Sequence, residues 1–173
     1  GSDEQHLEKI HLLHQGHSFR LVTTSKNSGL GNNINKGQDA VRTPMTLYVQ
    51  EDFVPTQLFP EKLQHAVGLL EQDKELDIVR FYAYFKYPYL EPLTGGFSRM
   101  LFKPWYPGYR KFYFYSDHPH LRRSNFLEKF GRYKEGLKVE RTEYEMMMTF
   151  LNRHGKGAFF EDFQSFIIIF IYL

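Results

Sequence analysis

Thr46-Leu47-Tyr48-Val49-Gln50-Glu51-Asp52-Phe53 is the stretch that decides the fold. Residues 46–49 are β-branched, aliphatic and aromatic, and read as a short strand. Glu51 and Asp52 stand where that strand ends. Acids at a strand exit are poor core material and good ligands for a hard cation. In an open α/β sheet the carboxyl end of a strand faces the crevice where ligands bind. A magnesium-like ion is held there by one or two carboxylates, with water and phosphate oxygens filling its other positions. The alternative for the same residues is a solvated acidic turn ahead of Pro55.

Outward from this strand, elements alternate. On the amino-terminal side, residues 3–15 suit a helix, with Leu7, Ile10 and Leu13 or His14 at its period and Gly16 as a stop. Residues 19–24 (FRLVTT) read as a strand. A Gly- and Asn-rich loop, residues 26–33, then opens a helix over 34–40. Such a loop either sets backbone N–H groups against a phosphate or is an ordinary strand-to-helix turn. On the other side, Pro60 and Glu61 open a helix whose Leu63, Ala66, Val67 and Leu70 recur at helical spacing. Residues 77–84 (DIVRFYAY) and 111–115 (KFYFY) read as strands. Between them, residues 86–107 hold six Pro and Gly residues, which predict irregular or hairpin structure. Ser124 is a plausible cap for a short helix carrying Phe126, Leu127 and Phe130 and ended by Gly131. Thr142 and Glu145 have the spacing of a capping box, ahead of a helix burying Met147, Phe150 and Leu151. Residues 158–160 form a last short strand. Strands alternating with helices predict an α/β fold in a single domain over residues 1–173.

Composition narrows the function. Of the 173 residues 42% are hydrophobic and 24% charged, which suits a globular protein with a sizeable core. A net charge of +2 is too small for the concentrated basic face that nucleic acid requires, so no nucleic-acid partner is expected. The absence of cysteine excludes disulfides and thiolate metal sites. Aromatics reach 17%, more than packing asks for. A cytoplasmic location is expected. The apolar residues 166–173 are too short to span a membrane and read as a buried strand or a cut chain end.

Three stretches together resemble glycosyltransferase family 2, the sugar-nucleotide transferases of GT-A fold. Asn27-Ser28-Gly29-Leu30-Gly31, with Asn35-Lys36-Gly37, is similar to that family's N-x-G turn and second N-x-G inside a helix. Residues 47–52 resemble the strand ending in its metal-binding DxD or EDD. Residues 120–145 resemble its NP-x-L-R-R-S-x-F run, followed by GxY and an acidic cluster at a helix start. Each motif is weak alone; their order is what carries the resemblance. There are departures. Gln50 takes the place of the family's first acid, and the acidic pair near the last helix appears as Glu140-Arg141 with Glu143 two residues on. Nothing matches the family's opening strand, and Gly1-Ser2-Asp3 reads as the tail of its second strand or as a tag. The resemblance therefore implies a GT-A-like mixed sheet flanked by helices, incomplete at the N-terminus, with the nucleotide-binding start missing.

The resemblance further implies transfer of a sugar from a nucleotide-diphosphate sugar to a glycan or other hydroxyl acceptor, with inversion, in polysaccharide assembly at the inner face of a membrane. It implies a divalent cation, Mn²⁺ or Mg²⁺, held by Asp52. It assigns donor binding to Asn27, Gly29, Asn35, Gln50 and Glu51, and the catalytic base to Glu140 or Glu143. Both glutamates also suit a first helical turn by the dipole alone. Acceptor binding falls to His120 and Arg122 and to Trp105 and Tyr106, because sugar C–H faces pack on aromatic rings. His118-Pro119-His120 is equally an ordinary surface loop, and Phe112 and Phe114 suit the core. Two rivals remain: a non-catalytic carbohydrate-binding or pseudo-enzyme domain, and a single-stranded nucleic-acid binder. An unpaired sheet edge would favour a homodimer by strand exchange.

Overall fold

A computed structural model describes residues 4–24, 26–162 and 165–168. The chain runs α1 (Glu4–Gly16), α2 (Gly29–Ala40), β1 (Met45–Tyr48), β2 (Phe53–Pro55), α3 (Phe59–Gln72), β3 (Ile78–Arg80), β4 (Leu90–Pro92), β5 (Phe97–Met100), β6 (His120–Arg123), α4 (Phe126–Phe130), α5 (Val139–Asn152), β7 (Gly157–Phe160) and β8 (Phe166–Ile168). Residues 1–3 and 169–173, read above as a family turn and as part of a buried end, lie outside the described residues.

Six strands form one mixed sheet in the order β1-β6-β3-β7-β5-β4, and β2 pairs with β8 beside it. Both β1 and β3 run antiparallel to β6, so they are parallel to each other, and β7 is parallel to β3. The carboxyl ends of β1, β3 and β7 therefore share one edge. There β6 begins, with His120 opposite both Tyr48 and Arg80.

Alternation along the strands splits the core. Val79, Leu121, Ala158 and Phe160 face Ala66 and Leu70 of α3, with Phe53 and Phe166 of the small sheet. Ile78 and Phe159 face the other way, onto Phe126, Phe130, Met147 and Phe150 of α4 and α5, with Ile34 of α2. Each fully buried Leu or Phe contributes about 1.5–3 kcal/mol, so these two layers hold the sheet edge in place. This three-layer α/β architecture is the one expected from the alternation of elements.

Several elements differ from expectation. Residues 19–24 are irregular: Val22 and Phe19 are exposed and no described strand pairs with them, so β propensity had nothing to act on. Residues 111–115 are no strand either. Residues 109–112 form a 3₁₀ turn, and Phe114 and Tyr115 are buried side by side, which breaks the two-residue alternation a strand needs, while Phe112 is exposed rather than core. The third predicted strand stops at Arg80, well short of Tyr84. Helix α2 begins at Gly29, so the Gly-rich loop is its first turn. Asn125, not Ser124, precedes α4, and Ser124 Oγ instead meets Thr46 Oγ1 at 2.8 Å. The capping box is not formed. Helix α5 starts a turn earlier, so Thr142 is inside it and buried, and Glu145 pairs with Lys134 at 2.6 Å and with Arg141. Residues 157–160 are not the last strand, since β8 follows. No helix among the described residues is long and apolar enough to cross a membrane.

Candidate active site

The chain segments that leave β1 and β3, and the one that enters β6, converge at the shared edge. After β1 the chain turns, closed by Phe53 N donating to Gln50 O at 3.2 Å. Glu51 points to solvent. Asp52 is half-buried, and its Oδ1 is sealed from water with no hydrogen-bond partner. Gln50 Nε2 donates to Asp117 Oδ2 at 3.1 Å, and the Asp117 backbone N–H donates to Glu143 Oε1 at 3.3 Å. A line Gln50–Asp117–Glu143 thus ties the turn after β1 to the lead-in of β6 and the first turns of α5.

Asp117 is 6% exposed. Burial, then the charge of Glu143 and a hydrogen bond between the two carboxyl groups, push its pKa up to about 7. Two carboxylates this close cannot both ionise cheaply, so the pair holds one proton near neutral pH. Beneath them lies Arg80, 2% exposed, whose Nη1 donates to Tyr113 O at 2.7 Å. Burial lowers it to about 10, against the pull of Glu143 and Asp117. It therefore stays a cation at neutral pH and compensates the acid pair.

A cavity of about 60 Å³ opens here, lined by Arg80, Tyr84, Phe85, Tyr113, Ser116, His118 and Glu143 among others. At ~30 Å³ per molecule it has room for about two waters or one hydroxymethyl-sized group. His118 is held neutral, its pKa lowered to about 3 by burial and by Arg80. Its ring is met edge-on by Tyr84 at 4.6 Å and Tyr82 at 5.4 Å, with Phe53 tilted against it at 5.6 Å. Tyr84 is 72% exposed and overhangs the mouth. Burial raises its phenol, as do Tyr82 and then the charges of Asp52, Asp117 and Glu143.

The remaining predicted residues divide. Glu140 is exposed in the first turn of α5, apart from this line. Asn35 is buried. It donates to Tyr133 O and accepts from Tyr133 N, both at 3.0 Å, which docks α2 against the chain before α5. Asn27 Oδ1 accepts from Gly29 N at 2.9 Å and closes the start of α2. Gly31 sits so close to residue 134 that a Cβ would stand 2.4 Å from Lys134 O. The Asn and Gly pattern is thus engaged in packing α2. His120 is fully buried with Nδ1 2.7 Å from His118 O. Arg122 is buried too, donating to Gln38 Oε1 at 3.0 Å and Tyr133 Oη at 2.7 Å and stacked over Phe126. The Arg122 guanidinium is held inside the fold by these partners, whereas His120 Nε2 is buried without a hydrogen-bond partner. Trp105 is 76% exposed, and Tyr106 stacks on Tyr89 at 4.2 Å.

No sequence-based expectation singled out Asp117, Arg80 or Tyr84. A signal existed for two of them: Asp117 sits just ahead of a buried strand start, and Arg80 interrupts an otherwise apolar strand. A divalent cation fits the site in one respect. Asp52 offers a sealed, unpaired carboxylate oxygen with Glu51 adjacent, and a magnesium-like ion needs only one or two carboxylates when phosphates complete its shell. No group of three His, Asp or Glu side chains among the described residues forms a protein-only cage.

The model of the family described as Glycosyl transferase family 2 matches residues 1–133. A search of curated proteins and a search of solved structures found no match.

Proposed function

The chain belongs to glycosyl transferase family 2, and on that premise we propose that it moves a sugar from a nucleotide diphosphate to an acceptor hydroxyl, with Glu143 as base and Asp117 as the residue that tunes it. A glycosyltransferase-type function follows from the family; the donor, the cation and the stereochemistry are our reading. The observation that carries it is the Asp117–Glu143 contact, the Asp117 N–H donating to Glu143 Oε1 at 3.3 Å, at the carboxyl edge of the parallel strands where Asp52 also follows β1.

In this reading the acceptor hydroxyl enters the cavity beside Glu143. Its oxygen bonds to the anomeric carbon as the bond to the diphosphate oxygen breaks, and the leaving diphosphate takes the electron pair. The hydroxyl proton passes to the Asp117–Glu143 pair, which has a free acceptor oxygen at neutral pH. A positioned base contributes about 10²–10⁴-fold. Attack from the side opposite the diphosphate gives inversion. Arg80, the cation beneath the pair, keeps one of the two carboxyls ionised until that proton arrives. Asp52, with Glu51 beside it, would hold Mn²⁺ or Mg²⁺, which when bound offsets charge on the diphosphate. Gln50 is committed to Asp117, so it orients the acid rather than a ribose.

That commitment of Gln50 also favours the second reading, a carbohydrate-binding domain without turnover. Calorimetric titration of UDP and of GDP, with and without Mn²⁺, separates the two. Metal-dependent nucleotide binding that disappears in Asp52→Ala supports the transferase. Saccharide binding with no nucleotide binding at all supports the second reading and overturns the first.

A further inference from the structure

Beyond the acid pair, the aromatic segment of residues 103–113 presents a surface that the reaction has not yet used. Trp105 and Tyr109 are 76% and 68% exposed, yet the segment is rigidly built. Lys111 turns inward, 9% exposed, and its ammonium donates to Pro104 O and Tyr106 O. Tyr89 Oη donates to Pro107 O at 2.7 Å, and Tyr87 Oη lies 2.9 Å from Lys111 O. A buried cation used to fix two carbonyls of an exposed loop is a costly arrangement for a mere connector. It has the effect of holding exposed rings in place before a ligand arrives, which lowers the ordering cost of binding.

Two cations stand on these rings. Lys103 lies over Trp105 and Tyr106 at 5.7 and 5.8 Å, and Arg110 lies over Phe85 at 4.8 Å. Among the described residues neither is paired with an acid, whereas Lys86 is paired with Glu161. Phe85 packs edge-on to Tyr113 at 5.0 Å, and both line the cavity that holds Glu143. The aromatic and cationic surface is thus continuous with the reacting place. The exposed rings are Tyr and Trp rather than aliphatic side chains, a composition that suits sugar faces and hydroxyls better than acyl chains.

We propose that residues 103–113, with Phe85, form a preformed acceptor subsite for a saccharide carrying an anionic group, its rings lying on the exposed aromatics and its anion paired with Arg110 and Lys103. This rests on the transferase reading for its purpose, though not for its binding test. Trp105 is the chain's single tryptophan and so reports on its own site. Its emission is followed while the whole chain is titrated, without nucleotide or metal, with tetragalacturonate, maltotetraose, glucose 1-phosphate and phosphatidylglycerol vesicles. The expected result is a saturable change with an anionic sugar. Maltotetraose should bind about tenfold more weakly, and Arg110→Gln should weaken the anionic sugar about fivefold or more. The stronger of tetragalacturonate and glucose 1-phosphate tells a carboxylate from a phosphate. Equal binding of maltotetraose, indifference to Arg110→Gln, a response to vesicles alone, or no response overturns the proposal. Because the titration omits nucleotide and metal, its failure leaves the Asp52 test standing, and failure of that test leaves this one standing.

Discussion

Asp117→Asn should make the stability of this protein less sensitive to rising pH. The Asp117 carboxyl is raised from 3.8 to about 7 by burial and by Glu143. A raised pKa means that the folded chain binds this proton more tightly than the unfolded chain. The associated stability is full below the unfolded value and is lost as pH rises through the folded one. Between about pH 5 and pH 8, ionisation of a group with those two values withdraws about 2–3 kcal/mol. Asparagine has the same shape, still accepts from Gln50 and can donate to Glu143, but has no proton to lose. His118 titrates in the opposite sense. Its pKa is lowered to about 3, so its contribution is present above 6.5 and falls as pH drops through 3. It does so in both chains and cancels in the comparison. Urea denaturation of wild type and Asp117→Asn across that range should therefore show wild type losing about 2–3 kcal/mol more than the variant. Parallel curves, differing by less than about 0.5 kcal/mol over the range, would refute the coupled acid pair.

Two other perturbations test the site and its frame. Glu143→Gln should lower kcat by about 10²–10⁴ with KM little changed, while Glu140→Gln, exposed and apart from the pair, should leave the rate within about twofold; steady-state kinetics with a released-nucleotide assay reads both, and equal losses would remove the base from Glu143. Gly31→Ala forces a methyl to 2.4 Å from Lys134 O, a backbone atom that cannot swing aside. It should cost about 1–3 kcal/mol by thermal denaturation, and a neutral result would mean that α2 does not dock as described.

Much of the fold is legible in local pattern, because local pattern is what a helix or a hairpin needs. The apolar spacing of Ala66 and Leu70 places α3, and the Pro- and Gly-rich run gives the β4–β5 hairpin. The failures are non-local. Residues 19–24 and 111–115 have the composition of strands, but a strand exists only where a partner edge is offered, and no residue in either segment encodes that. Asn35 is non-local in another way. The resemblance assigns it to donor binding, while its side chain meets the backbone groups of Tyr133 and the Glu135 carboxylate, reached only once α2 has docked.

The site divides along the same line. Asp52 is legible because it follows its own strand directly. Asp117 is not, because its meaning depends on a partner 26 residues away in Glu143 and on one behind it, Gln50, across another strand. What joins them is topology. An all-parallel sheet would bring only strand exits to the ligand edge, and the residues that enter β6 would lie at the far side. Inserting β6 antiparallel between β1 and β3 reverses that for one strand, so residues 116–119 arrive where β1 and β3 leave. A buried acid just ahead of β6 is thereby set against the Gln50 turn and the first turns of α5, over the Arg80 that ends β3. The acid pair is thus a product of strand order, and a substitution that weakened the β1–β6 pairing would disperse it without touching either carboxylate.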